Sequence, residues 1–168
     1  SQNPHLAREL KEAGLNIVYL QFDSVTSQPY EKRRGSNLIE EKLKIIDACR
    51  KCNLEIILVP TLVRGINDSE IGDIIKFAGE NSDIIRGVVF QPISFNGRNS
   101  LYEQRNSVVM SEFVEETEKQ TNGQINAVDL VPITVMVSPI RVMSKFMKHP
   151  WPLFSTNPHC GVANWIIA

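Results

Sequence analysis

The stretch LEIILVPTLVRGINDSEIGDIIKFAG, residues 54–79, contains the pattern that decides the fold. It opens with the apolar run LEIILVPTLV, which predicts a strand, and it closes with NDSEIGDIIKFAG, which predicts a helix. Asn67 and Glu70 stand at capping-box spacing at the start of that helix, and Gly79 stands near its end. The stretch therefore predicts one βα unit.

The same alternation continues on both sides of this unit. Predicted strands are LNIVYLQFD and IIRGVVFQPIS, and predicted helices are NPHLARELKEAG, NLIEEKLKIIDACRKCN and SVVMSEFVEETEKQ. The second of these helices carries Ile39, Leu43, Ile46 and Cys49 on one stripe. Strands that alternate with helices indicate parallel βαβ units and an α/β fold. A complete eight-stranded barrel needs ~250 residues, so a partial barrel or an open sheet remains for 168 residues.

The character of the sequence changes after Gly123. Residues 124–168 hold five of the nine prolines and both tryptophans. A strand is predicted through ITVMV (133–137) and a short helix through IRVMSKFMK (140–148), and the rest reads as loop. We therefore predict two regions, a βα domain over 1–123 and an irregular, proline-rich C-terminal extension over 124–168.

Composition and charge exclude several classes of protein. The net charge of −1 gives no basic surface for a nucleic acid, and no apolar run approaches the ~20 residues that span a bilayer. Three cysteines without disulfide spacing favour a reducing cytoplasm. Cys49 and Cys52 form a C-x2-C spacing inside a predicted helix, without a second such pair, so we interpret both as structural thiols.

Polar residues follow each predicted strand, where ligands bind in parallel α/β proteins. The candidate cofactor-binding residues are Gln21, Asp23, Arg33, Arg34, Thr61, Val63, Asn67, Gln91 and Pro92. We call these residues at the strand ends the rim, and their polar groups suit a ligand with hydroxyls, an amine and a carboxylate. Arg33 or Arg34 can grip a carboxylate through a two-pronged contact. The alternatives are structural: Asp23 as a loop cap, the arginines as solvated charges, and Asn67 as a helix cap.

Three segments resemble the middle and later strands of radical S-adenosylmethionine (radical SAM) enzymes. They are LKEAGLNIVYLQFDSVTSQPYEKRRG, LEIILVPTLVRGINDSEIGDIIKFA and IRGVVFQPISFNGR, and in that family an acidic-rich loop follows the first strand. In addition, VPITVMVSP followed by NPHCG resembles the tetraether lipid synthase-like subgroup, in which extra cysteines hold auxiliary iron–sulfur clusters.

The resemblance implies a partial (βα)6 TIM-like barrel that binds S-adenosylmethionine and a [4Fe–4S] cluster. Reductive cleavage would give a 5′-deoxyadenosyl radical that abstracts hydrogen from an unactivated carbon of a small-molecule or lipid substrate. By position, Gln21 would contact the ribose or the methionyl part, and Arg33 or Arg34 the methionyl carboxylate. Thr61 and Val63 would line the nucleoside, and Gln91 and Pro92 would lie near the adenine. Cys160 would ligate an auxiliary cluster.

One departure from the family is the absence of its cluster motif, C-x3-C-x2-C. We therefore expect a C-terminal fragment whose missing N-terminal part carries the motif, and we expect the fragment alone to be inactive and prone to associate through open strand edges. Two other functions stay open at this point. One is a non-catalytic α/β module that binds a small metabolite, and the other is a different βα-barrel enzyme with acid–base chemistry through Asp23 and Asp68.

Overall fold

The computed structural model describes residues 5–93, 107–132, 137–148 and 162–163, which fall into two compact units divided between Val108 and Val109. The predicted division at residue 123 stays a prediction. The first unit contains, in chain order, α1 (Leu6–Glu12), β1 (Ile17–Gln21), α2 (Gln28–Arg34), α3 (Ile39–Lys51), β2 (Glu55–Val59), β3 (Thr61–Leu62), α4 (Ile71–Glu80), β4 (Ile85–Val88) and β5 (Gln91–Pro92).

The central sheet is parallel and follows the order of the chain, β1-β2-β4. Ile17 lies opposite Glu55, and Ile56 lies opposite Ile85. Pro60 interrupts the second predicted strand, because proline has no N–H to donate to the ladder. The ladder nevertheless continues beyond it, since β3 pairs in parallel with β5 and Gln91 N–H donates to the Pro60 carbonyl at 2.9 Å. The fold is thus α/β with parallel βα units, as predicted.

One face of the sheet packs against helices and forms the core. Leu20 of β1 and Leu58 of β2 point to this face, together with Phe22, which stacks on Phe77 of α4 at 5.0 Å between ring centroids. Ile46 and Cys49 of α3 complete the cluster, whereas Leu43 is 40% exposed. The predicted stripe on α3 is therefore wrong for Leu43, because the buried arc of this helix is narrower than the periodicity suggests.

The opposite face of the sheet is open in the part of the chain that the structure describes. Side chains alternate along β1, so Ile17 and Tyr19 lie opposite the buried set, and Tyr19 is 68% exposed. Val89, directly after β4, is also exposed. Helices on one side and an uncovered apolar face on the other are the arrangement of a partial TIM-like barrel.

The segment between β1 and α3, where the family resemblance implies an acidic-rich loop, contains the helix α2. Pro29 in its first turn is suited to that place, because the missing proline N–H would have no helical partner there. Gly35 ends the helix with φ of 73°, a conformation that glycine adopts without strain. This helix positions both arginines of the predicted rim.

The second unit contains α5 (Met110–Gln120), β6 (Val131–Pro132), α6 (Val137–Phe146) and β7 (Val162–Ala163), with β6 and β7 paired antiparallel. The predicted helix over 140–148 is confirmed for most of its length by α6. The predicted strand over 133–137 is wrong at its end, where Val137 begins the helix, and 133–136 lie outside the described residues. In the described ranges, no helix is long and apolar enough to cross a membrane.

Candidate functional site

The carboxyl ends of the parallel strands bring three predicted site residues to one edge of the sheet. Gln21 ends β1, and Thr61 and Gln91 begin β3 and β5 as direct partners across that ladder. By strand alternation all three side chains belong to the open face, with Gln21 and Gln91 exposed and Thr61 half-buried. Amide and hydroxyl groups are therefore available for a ligand at this rim.

Asp23 is the centre of the polar contacts behind the rim. Its side chain is only 2% exposed, and one carboxylate oxygen accepts the Thr61 backbone N–H at 3.0 Å. The other oxygen lies 3.2 Å from a guanidinium nitrogen of Arg33 and 3.2 Å from one of Arg34. Gln21 Nε2 lies 3.4 Å from both oxygens. Both carboxylate oxygens are therefore engaged by backbone, amide and guanidinium donors, so this carboxylate is not free to act as the base of the acid–base alternative.

The two arginines differ in how firmly they are held. Arg33 is 15% exposed and also donates to the Thr61 carbonyl oxygen at 3.3 Å, so its guanidinium is anchored to β3 as well as to Asp23. Arg34 is 38% exposed and has Asp23 as its ion-pair partner. The solvated-charge alternative is therefore wrong for this pair, because both guanidiniums are ion-paired to a buried carboxylate.

Asn67 is fully buried, and its side chain bonds three backbone groups in two segments of the chain. Its Nδ2 donates to the carbonyl oxygens of Asp23 at 2.7 Å and of Thr61 at 3.0 Å, and its Oδ1 accepts the Val63 N–H at 2.8 Å. The predicted capping box is wrong, because the Asn67 side chain makes no cap bond and a short 3-10 turn over Asp68–Glu70 precedes α4. Backbone groups that Pro60 and the turn leave without ladder partners are satisfied by this amide instead.

Two residues outside the predicted set complete the network. Glu70 accepts hydrogen bonds from the Ser24 hydroxyl, the Val25 N–H at 3.1 Å and the Thr26 hydroxyl at 2.7 Å. Tyr30 is buried, and its hydroxyl accepts the Asp23 N–H at 3.1 Å. The spacing of Glu70 from Asn67 predicts a helix cap and not these contacts, and no sequence pattern indicates a role for Tyr30, because α2 is not predicted.

Two guanidiniums meet one carboxylate at the rim, since Arg33 and Arg34 both face Asp23. Lys42 in α3 lies in the field of Asp23, Arg34 and Glu41. Burial is the main reason that the pKa of Lys42 is lowered; the Asp23 and Glu41 carboxylates oppose this shift and the Arg34 guanidinium adds to it. The excess of positive charge suits an anionic group on a ligand.

The remaining predicted site residues are placed as follows. Val63 is buried, Pro92 is exposed in β5, and Asp68 accepts the Gly65 N–H at 2.9 Å. Cys160, the predicted metal ligand, lies outside the described residues.

The structural interpretation of Cys49 and Cys52 is supported by the structure. Both are free thiols, Cys49 lies in the core, and burial raises its pKa, which makes it a poorer metal ligand. Within 5–93, 107–132, 137–148 and 162–163, no three His, Cys, Asp or Glu residues come together as a metal site.

This chain is similar to one protein family and to several known proteins. Residues 1–78 match the model of the Radical SAM superfamily. The chain is 42% identical over 170 aligned residues to 7,8-dihydro-6-hydroxymethylpterin dimethyltransferase of Methanocaldococcus jannaschii, a match covering 98% of this chain and 33% of that protein. It is 33% identical over 102 residues to GTP 3′,8-cyclase of Clostridium acetobutylicum, which covers 60% of this chain and 31% of that protein. The chain thus spans about a third of the length of these relatives.

Proposed function

The chain belongs to the radical SAM superfamily through residues 1–78, and from this premise we propose that the whole protein binds S-adenosylmethionine at the rim described above. The observation that carries the proposal is the gathering of Gln21, Thr61 and Gln91 at one sheet edge, with an arginine pair behind them. In the proposed complex Gln21 contacts a ribose hydroxyl or a polar group of the methionyl part, and Thr61 and Gln91 line the nucleoside.

The arginine pair supports binding of the methionyl carboxylate. Two guanidiniums share one buried carboxylate, so one positive charge is left for an anionic ligand group. Arg33 is anchored by Asp23 and by the Thr61 carbonyl, which reduces the side-chain entropy that binding would otherwise cost. Arg34 is more exposed and is the better placed of the two to contact a ligand directly. Val63 and Asn67 are buried, and we propose that they act by supporting the backbone of Thr61.

The chain does not by itself fit a [4Fe–4S] cluster that activates S-adenosylmethionine. Its 168 residues contain Cys49, Cys52 and Cys160 and no C-x3-C-x2-C motif; Cys49 is packed in the core, and Cys52 follows α3 directly and is half-buried. We therefore derive no step through a cluster from these residues. One-electron reduction of S-adenosylmethionine is the chemistry such a cluster supplies when bound, and its ligands would belong to sequence outside this chain.

For the reaction, we propose methyl transfer to a pterin-like heterocycle. The support is the 42% identity to a dimethyltransferase named for a dihydropterin substrate, a match that extends over nearly the whole chain. A lipid substrate is the second candidate. It is favoured by the resemblance of VPITVMVSP and NPHCG to the tetraether lipid synthase-like subgroup, with Cys160 as an auxiliary-cluster ligand.

The test uses the whole protein, prepared without oxygen. We expect reductant-dependent consumption of S-adenosylmethionine, with methyl groups transferred to a dihydropterin and none to a tetraether-type lipid precursor. Conversion of the lipid alone would favour the second candidate. Binding of S-adenosylmethionine without any consumption would favour the non-catalytic module.

The metal assignment has its own test in the same preparation. Iron and sulfide are measured before and after Cys160→Ser, with Cys52→Ser as the matched control. Loss of one cluster's iron in the Cys160→Ser protein alone would support the ligand assignment, and unchanged iron would remove it.

A further inference from the structure

We propose that Glu70 is a positioning residue that holds the arginine pair of α2 in its ligand-binding orientation. Glu70 lies in the 3-10 turn before α4, and it accepts three hydrogen bonds from Ser24, Val25 and Thr26. These partners form the loop that leads from the end of β1 into α2. The proposal rests on the function proposed above, and it adds a role for a residue that touches none of the predicted ligand contacts.

The hydrogen bonds that Glu70 accepts come from this loop. It stands at the N-cap position of α4, yet it makes no side-chain bond to its own helix. In the described part of the chain it forms no ion pair with a lysine or arginine, so the loop donors are the groups that stabilise its charge. Hydrogen bonds to a carboxylate are shorter and stronger than neutral ones, so three of them fix the loop closely.

The loop in turn determines where α2 lies. α2 has seven residues, which is too short for a helix to be stable without tertiary contacts. Its attachments are the loop at one end, the Tyr30 hydroxyl on the Asp23 N–H, the arginine pairs with Asp23, and the Arg33 hydrogen bond to the Thr61 carbonyl. Loss of the Glu70 contacts therefore releases the N-terminal end of α2 and loosens Arg33 and Arg34, while the sheet and core stay intact.

The experiment measures the affinity of the whole protein for S-adenosylmethionine by calorimetry, without oxygen or reductant, together with the melting temperature. We expect Glu70→Gln to bind about tenfold more weakly, as for the loss of one charge-assisted hydrogen bond. Glu80→Gln, at the exposed end of α4 where Glu80 lies 3.9 Å from Lys76, is the matched control and should bind like the wild type. Ser24→Ala, which removes one donor, should have a smaller effect in the same direction.

A cycle of variants separates positioning from general stability. If Glu70 acts through the arginines, Glu70→Gln causes no further loss of affinity in a protein that already carries Arg33→Gln and Arg34→Gln. A full tenfold loss in that background, or a lowered melting temperature with unchanged affinity, would overturn the inference. A wild-type protein that binds no S-adenosylmethionine would overturn the proposed function and the inference together, whereas wild-type binding with no effect of Glu70→Gln removes only the inference.

Discussion

Asp23 shows how a single residue can organise a rim. It follows β1, it is almost fully buried, and it meets two guanidiniums and the backbone N–H of Thr61. Asn67 and Tyr30 satisfy the backbone of the same residue. The carboxylate thereby joins β1, α2 and β3, which makes it a structural centre for any ligand site at this edge.

Removal of this carboxylate should be costly. Asp23→Ala leaves two guanidiniums without a counter-charge and the Thr61 N–H without an acceptor, and we expect a loss of about 3 kcal/mol in the free energy of unfolding. Asp47→Asn, which weakens an exposed pair with Arg50, should change it by less than about 1 kcal/mol. Denaturant titration measures the free energy of unfolding of both variants. Equal losses would show that Asp23 is not a centre of the fold.

Tyr30 predicts a specific dependence of stability on alkaline pH. Burial raises its pKa from 10.0 to about 12, although the Ser24 and Asp23 backbone N–H groups act in the opposite direction. Below pH 10 the phenol is neutral in both states. As the pH rises from 10 towards 12, the phenol ionises first in the unfolded chain. The free energy of unfolding therefore falls by about 2 to 3 kcal/mol.

This alkaline loss is measured as the free energy of unfolding against pH for the wild type and for Tyr30→Phe. The variant should lack the loss between pH 10 and 12 that is due to the phenol. Tyr19→Phe, at an exposed position, is the control and should behave like the wild type. Parallel curves for wild type and Tyr30→Phe would contradict the assignment.

At the scale of elements, α3 shows that position on a helix, and not hydrophobicity alone, decides burial. Ile46 is 2% exposed in the core, whereas Leu43, one turn earlier, is 40% exposed. The same helix therefore offers two aliphatic residues with opposite environments.

The two residues should differ strongly on truncation. Ile46→Ala removes core contacts and leaves a cavity, with an expected loss of about 2 to 4 kcal/mol in the free energy of unfolding. Leu43→Ala should lose less than about 1 kcal/mol, because few contacts are removed. Comparable losses in chemical denaturation would mean that α3 packs in another orientation.

For the whole molecule, the notable feature is an α/β sheet with one covered face. Ile17, Tyr19 and Val89 leave apolar surface open among the described residues, and the parallel order β1-β2-β4 leaves β1 and β4 as edges within that part. Exposed apolar patches and strand edges are surfaces through which chains associate.

We expect this chain, prepared as its 168 residues, to self-associate as its concentration rises. Tyr19→Lys places a charge on the open face and should shift sedimentation towards the monomer. Leu43→Lys makes the same kind of change on the helical side and should not. Equal sedimentation of the two variants at every concentration would show that the open face is not the contact.

More of the fold than of the candidate site could be predicted from the sequence. The strand and helix order followed from local patterns, and the strand ends identified Gln21, Thr61 and Gln91 as neighbours. The helix α2 was missed because its seven residues are too few to show a clear apolar period. Without that helix, no local pattern pairs its arginines with Asp23.

Periodicity and turn residues act over a few positions, so the amino-acid sequence is enough to predict the parallel βα architecture and the polar strand ends. The partners of those polar groups depend on how the strands and helices pack. Thr61 lies 38 residues from Asp23 and Glu70 lies 44 residues from Thr26, and such pairs form only when strands and helices assemble. The physical reason is that a buried polar group takes whichever partner the packed backbone brings within hydrogen-bonding distance, and local sequence does not specify that partner.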